Sequence, residues 1–480
     1  MPKLSKYEKI LILIFLLTLP FVNPWVRGDG VGYYAFARAP LIEHNLDFRN
    51  DWTHANTSFR MGRLDVSAGT ESISPDQFTS TGHLDNHFSV GPAILWMPFL
   101  AVAHGAVIVG HWFGARVLEN GFSRPYLLAM ALGTAFYGFA AVWISFRLAR
   151  KFVLEEWAFV GSLAIWFASS LPVYMYFNPS WSHAQSAFVV ALFLWYWLRT
   201  RGGRTSLQWL VLGLIAGLMM DVYYINAVIL VLPMGESLGA YFASVKRRSG
   251  SRAGLMLIHD LLFSVALLLA FLPTLITKKI IYGSFLNFGY TPRWYWNSPA
   301  FFKVAVSSDH GFLIWTPVLA LAIIGLVLLA LKERNIALSL LGVVISYVYA
   351  IGCYQDWDGI SSFGNRFFVS LTPIFVIGLA GFFDWLATAW EAKKAVWITG
   401  SATAALITLN LGMIFQWGTH LIPARGPISF EQAAYNEIAV VPGMAAGMVK
   451  DYLSGRSELM KRIEQEDVKQ LKLSESSELP

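Results

Sequence analysis

The sequence predicts an all-α fold: a polytopic membrane helical bundle of about eleven spans. Three observations predict it. Of 480 residues, 56% are hydrophobic and only 14% are charged, where a soluble domain carries about 25% charged residues. The apolar residues come in long blocks, of which 125–146, 313–331, 367–383 and 395–415 hold few or no charges. About 20 apolar residues, rising 1.5 Å each, cross the hydrocarbon core. Lys and Arg gather between the blocks, the pattern of cytoplasmic loops. That clustering accounts for the net charge of +6, which therefore does not point to nucleic acid.

The elements follow in order. Lys3, Lys6 and Lys9 precede a first apolar run, 10–22. A signal peptide begins this way too, but Pro24-Trp25 is a poor cleavage site. A retained first helix over 9–26 is expected. The next basic clusters are Arg147/Arg150/Lys151, Arg199/Arg201/Arg204, Lys246/Arg247/Arg248/Arg252, Lys332/Arg334 and Lys393/Lys394. Beyond Lys151, each neighbouring pair of clusters encloses two apolar blocks, out and back. They are 155–172 with 182–198, 206–220 with 223–245, 254–277 with 312–331, and 336–354 with 366–389. A last block, 395–416, leads outward. The single cysteine, Cys353, excludes an intrachain disulfide.

Between 26 and Arg147 the chain needs an odd number of crossings, yet it holds two apolar blocks, 92–114 and 125–146. The second is long and uncharged. The first carries His104, Gly105, Gly110 and His111, and is expected to lie on or dip into the outer face. Eleven crossings follow; twelve would put one basic cluster on the wrong side. Three polar stretches then share the outer side: 28–91, 278–311 and 355–366. Residues 178–183 and Asp221 also fall at outer helix ends. The expected organisation is a transmembrane catalytic domain over 1–416 and a polar tail over 417–480. The end of that tail, from 454, reads as charged amphipathic or disordered.

Asp29 stands in Arg27-Gly28-Asp29-Gly30-Val31-Gly32-Tyr33-Tyr34, just past the first apolar segment. An acid at the mouth of a span is costly unless it has water, a partner or a job. One reading is an N-cap for a helix opening at Val31. The other is a functional acid, with Gly28, Gly30 and Gly32 letting the backbone approach a substrate.

With the following Tyr-Tyr-Ala-Phe-Ala-Arg and Asn45-Leu46-Asp47-Phe48, this segment resembles the first outer loop of the GT-C glycosyltransferases. The similarity is to the protein O-mannosyltransferases and to aminoarabinose and other lipid-linked sugar transferases. In architecture it covers most of the chain; in motif it covers residues 25–50. The resemblance implies a GT-C-like bundle with interfacial helices in the first outer loop. It implies transfer of a sugar from a polyprenyl-phosphate donor to an acceptor hydroxyl on the extracytoplasmic face. The implied partners are that donor, a lipid, protein or glycan acceptor, and the membrane, with no nucleic acid. The implied setting is a bacterial inner (plasma) membrane, the site facing outside. Asp29 would take the acceptor proton, with Tyr33 beside it among the substrate contacts. The relatives commonly carry an Asp-Glu pair where this chain has Asp29-Gly30. The missing acid favours metal independence and no cofactor.

The departing phosphate needs positive charge or donors. Arg366, after Ser-Phe-Gly-Asn at an outer helix start, is the first candidate, because a guanidinium suits bidentate phosphate recognition. Lys278 and Lys279 sit at an outer helix end, as phosphate ligands or as snorkelling anchors. Arg293 lies among Tyr290, Trp294, Tyr295 and Trp296, aromatics that also suit an interfacial belt. Asp221 interrupts an apolar run and is the second candidate acid, or a hinge acid paired with Asn226. His310, in Asp309-His310-Gly311-Phe312, is placed to touch phosphate or acceptor, or merely follows a helix cap at Asp309. His83, Asp85 and His87 alternate as metal ligands on a strand edge would. No fourth ligand accompanies them, so loop residues or acceptor contacts, His87 among them, are the preferred reading.

No Walker A, Rossmann, His-Glu-x-x-His or Cys-x-x-Cys motif is present. Two competing functions stay open: a flippase or transporter of polyprenyl-linked saccharide, and a non-catalytic assembly subunit. A transporter places charges near the bilayer midplane, often in two related halves. Here the charges cluster at outer ends, and no internal repeat is evident.

Overall fold

The computed structural model describes residues 3–65, 72–246, 248 and 250–477. Arg247 of the fourth basic cluster, 66–71 of the first loop and 478–480 of the tail lie outside the described residues.

The chain enters through the helix Lys6–Thr18, opened by a reciprocal cap. The Ser5 hydroxyl accepts from the Glu8 amide at 3.2 Å, and the Glu8 carboxylate accepts from the Ser5 amide at 2.9 Å. The same carboxylate meets Arg147 at 2.7 Å and the Trp143 indole at 3.0 Å. The N-terminus thus joins the basic end of the helix Arg124–Ala149. At the other end, Thr18 bonds Tyr176 at 2.8 Å, and the Asn23 amide donates to the Tyr176 carbonyl at 2.8 Å. This delivers Asp29 to residues 178–183.

Seven helices among the described residues are long and apolar enough to cross a membrane: Gly91–Trp112, Arg124–Ala149, Tyr224–Lys246, Gly250–Tyr282, Arg334–Cys353, Arg366–Ala389 and Lys393–Gly418. The other expected spans are shorter helices: Lys6–Thr18, Glu155–Ala168, His183–Thr200, Ser206–Val222 and Val318–Leu329. The 312–331 block splits because Pro317 cannot donate to the turn before it, leaving Phe312–Trp315 as a separate short helix. Small residues let spans close on one another. At Gly213 and Gly217 an added Cβ would lie 2.3 and 2.2 Å from the Phe263 and Leu267 carbonyls, so Ser206–Val222 rests directly on Gly250–Tyr282.

The 92–114 block departs from expectation in regularity. It is an uninterrupted helix, Gly91–Trp112, antiparallel to Arg124–Ala149. Its histidines do not break it because both are bonded: His104 to the Tyr126 hydroxyl at 2.7 Å, and His111 to the Val117 carbonyl and to Glu119, each at 2.5 Å. Gly91 presses on the backbone of Asp221 and Val222, and Gly121, beyond the other end, accepts from the Tyr34 hydroxyl at 2.7 Å.

The first outer loop is largely helical: Asp29–Arg38, a π turn Ala39–Glu43, Arg49–His54, Thr57–Arg60, and a short ribbon pairing Leu64–Asp65 with Ser72–Ile73. Buried Arg38 holds it together, gripping Asp51 through two bonds of 2.7 and 2.6 Å and Glu43 at 2.7 Å. The 278–311 loop begins later than its composition suggests, since Gly250–Tyr282 runs through Lys278 and Lys279.

The tail folds back as helices Val441–Ser454 and Arg456–Ser477, the ordered alternative of the two expected. Arg456 donates to the Pro20 and Val22 carbonyls at 2.6 and 2.5 Å. Glu464 accepts from the Ser58 amide at 2.6 Å. Asp467 meets Arg27 at 2.5 Å and His420 at 2.9 Å.

Candidate active site

Asp29 is the first residue of its helix, after Gly28 at φ 53° and ψ −135°. No side chain caps that helix, so the N-cap reading gives way to an ion pair. The Asp29 Oδ2 accepts from Arg366 Nη1 at 2.7 Å. The two groups are in direct contact. They lie 337 positions apart in the chain. The sequence brings them together through residues 178–183. The Trp181 indole donates to the Arg27 carbonyl at 3.0 Å, and the Arg366 guanidinium lies 4.7 Å from the Trp181 ring centre. Gly30 is needed for this fit, because a Cβ there would stand 2.0 Å from the Ser180 Oγ.

Arg366 keeps capacity to spare. One of its five donors goes to Asp29, and its Nε, although buried, has no hydrogen-bond partner. Tyr33 lies beneath this pair, packed on Phe88 at 4.7 Å between ring centres. Burial, then the nearby Asp29 charge, pushes its phenol well above the ordinary tyrosine range. It stays a donor at neutral pH. His87 packs on Phe88 and Tyr290. Burial pulls its imidazole below the usual value, against the pull of Asp85 and Asp29.

The other sequence candidates are placed differently. Lys278 is fully buried and donates to the Asn86 and Phe88 carbonyls, both at 2.8 Å, so it pins the loop that carries His87. Lys279 donates to the Gly283 carbonyl at 2.7 Å, closing the end of its own helix. Arg293 is exposed, its backbone paired with Gln355. Asp221 is fully buried beneath Gly91, and Asn226 turns from it to Ser186 and the Met219 carbonyl. His310 is buried against Trp315. Among the described residues, Lys279, Arg293, Asp221 and His310 form no hydrogen bond or ion pair with Asp29, whose carboxylate meets Arg366. The alternating trio also separates: His83 bonds Thr81, Asp85 accepts from the Tyr282 hydroxyl, and His87 packs against aromatics. Sequence reasoning missed Trp181, Ser180 and the tail acids Glu464 and Asp467. The only signal was an aromatic-polar run at a helix end, which an interfacial belt also produces.

A cavity of about 310 Å³ is lined by Trp25, Val26, Val31, Asp51, His54 and Asn56 among others.

This architecture defines a class: an all-α, multi-pass membrane helical fold. The particular structure it is similar to is ArnT from Cupriavidus metallidurans bound to undecaprenyl phosphate, with a TM-score of 0.51 at 15% identity. The match covers 96% of this chain and 74% of that one. No protein-family model and no curated protein matches the sequence.

Proposed function

We propose that the chain is a membrane glycosyltransferase that moves a sugar from a polyprenyl-phosphate donor to an acceptor hydroxyl at the extracytoplasmic face. The observation that carries this reading is the Asp29–Arg366 pair, a carboxylate and a guanidinium with donors to spare, in contact at 2.7 Å. It sits where the first outer loop, residues 178–183 and the 355–366 segment meet. The fold supports the reading, since a structure that shares it holds undecaprenyl phosphate.

Asp29 takes the proton from the acceptor hydroxyl. The acceptor oxygen forms its bond to the anomeric carbon, while the bond from that carbon to the phosphate oxygen breaks. The phosphate leaves with the electron pair, and its charge is met by the remaining N–H donors of Arg366. One arginine orients the base and receives the leaving group.

The test is Asp29→Asn, assayed in vesicles with a panel of polyprenyl-phosphate sugars. Transfer should fall by about 10²–10⁴-fold with donor binding little changed. A near-wild-type rate would leave Asp29 as an ion-pair partner only and would sink the mechanism.

A further inference from the structure

A second constellation lies in the outer loops and has no part in the chemistry above. Asp309 and His310 come from the segment before Phe312, and Asp358 from the segment that leads to Arg366. One donor atom from each lies within 4.8 Å of the others. His310 is fully buried, and neither of its ring nitrogens has a hydrogen-bond partner. Its Nδ1 is 3.2 Å from Asp309 Oδ1, yet that oxygen also lacks a hydrogen bond. Among the described residues, no Lys or Arg forms an ion pair with either aspartate.

A buried imidazole without a partner is costly. Beside two carboxylates, it is what a cation would satisfy. We propose that Asp309, His310 and Asp358 bind one divalent cation of Zn²⁺ or Mn²⁺ type. The donor set selects it: imidazole favours transition ions, and carboxylates suit Mn²⁺ as well as Zn²⁺. Ligand bonds of about 2.1 Å around a tetrahedral ion set donors about 3.4 Å apart; the His310 Nδ1–Asp309 Oδ1 pair already stands at 3.2 Å, and the separations to Asp358 close by at most about 1.4 Å on binding. Three protein ligands leave positions for water or a phosphate oxygen.

The site touches the proposed active centre through its backbone. Gly359 follows Asp358 at φ +78°, and a Cβ there would be 3.3 Å from Arg366 Cγ. Trp315 packs on His310 with ring centres 4.8 Å apart. A bound cation would therefore fix the turn on which Arg366 is mounted, a positioning role. The assignment rests on its own donors and stands apart from the proposed transfer.

The experiment uses full-length protein purified in detergent, stripped with EDTA and exchanged against Zn²⁺, Mn²⁺ or Mg²⁺. Metal content after desalting and the thermal midpoint are both read. Wild type should retain about one equivalent of Zn²⁺ or Mn²⁺ and melt higher when loaded. His310→Ala and the isosteric Asp358→Asn should each bind at least about tenfold more weakly, since losing even an outer partner of a ligand costs that much. Asp29→Asn should retain the metal in full, which separates this site from the proposed transfer. If His310→Ala does not fold, Asp309→Asn replaces it. No retained cation in wild type, Mg²⁺ alone retained, or unchanged retention in the ligand variants overturns the proposal.

Discussion

Arg366 shows why residue type matters at this site more than charge. Its planar fork stacks on Trp181 while one donor reaches Asp29. Lysine would keep the charge and lose both the stack and the fork. Arg366→Lys should therefore raise the apparent donor KM, lower turnover, or both. A lost charge-assisted contact of about 1.5–3 kcal/mol corresponds to about 10–100-fold in kcat/KM. Initial rates against donor concentration read it, and an unchanged kcat/KM would remove Arg366 from phosphate binding. Asp29 and Arg366 were each legible as isolated charges at outer helix ends. Their contact was not, because nothing local records a pairing across 337 positions. Lys278 marks the same limit. Its position suited either a phosphate ligand or an anchor, and only its two carbonyl partners show that it holds the loop.

At the scale of elements, the first outer loop is organised by one buried arginine. Arg38 binds Asp51 and Glu43 and lies 4.5 Å from the Phe122 ring centre, linking the Asp29 helix to the turn beyond Gly91–Trp112. The Arg38 hydrogen bond holds the Glu43 carboxyl below its ordinary value. A carboxylate depressed in the folded state stabilises it above the unfolded value, near pH 4.3, and that contribution fades as pH falls through the folded value. Glu43→Gln should therefore speed hydrogen exchange across 29–54 at neutral pH, by about 1 kcal/mol of local opening. The gap from wild type should shrink as pH falls below about 4. A gap that widens on acidification would show that Glu43 does not act through its charge. Composition pointed to a long polar loop here. Its helices were expected through resemblance alone, since short helices carry too little periodicity to be read directly.

For the whole molecule, the question is which ends share a side. The basic clusters put 28–91 opposite Arg248. Gly91–Trp112 meets Asp221 and Val222 at Gly91, and the turn beyond it meets Tyr34 at Gly121. Cysteines at Thr53, Gly114 and Arg248, all exposed, can be labelled from one side of sealed vesicles with native Cys353 buried. Thr53→Cys and Gly114→Cys should react together, and Arg248→Cys only after permeabilisation. Reaction of Gly114→Cys with Arg248→Cys would make Gly91–Trp112 a true crossing. Reaction of Thr53→Cys with Arg248→Cys would overturn the orientation itself. The tail joins the outer assembly too, its acids bonded to Arg27 and Ser58 beside the Asp29 turn.

The sequence by itself determined the class and the approximate positions of the spans, and it singled out the acid worth watching. These follow from local quantities: apolar length against bilayer thickness, and the placement of Lys and Arg around it. Tertiary structure alone decided which charges meet. It paired Asp29 with Arg366 over Trp181, turned Lys278 inward to backbone carbonyls, enclosed Asp221, folded the tail onto the first loop and gathered Asp309, His310 and Asp358. Hydropathy is a sum along the chain, so it survives without coordinates. A site is a set of distances between distant segments, and those exist only after the helices have packed.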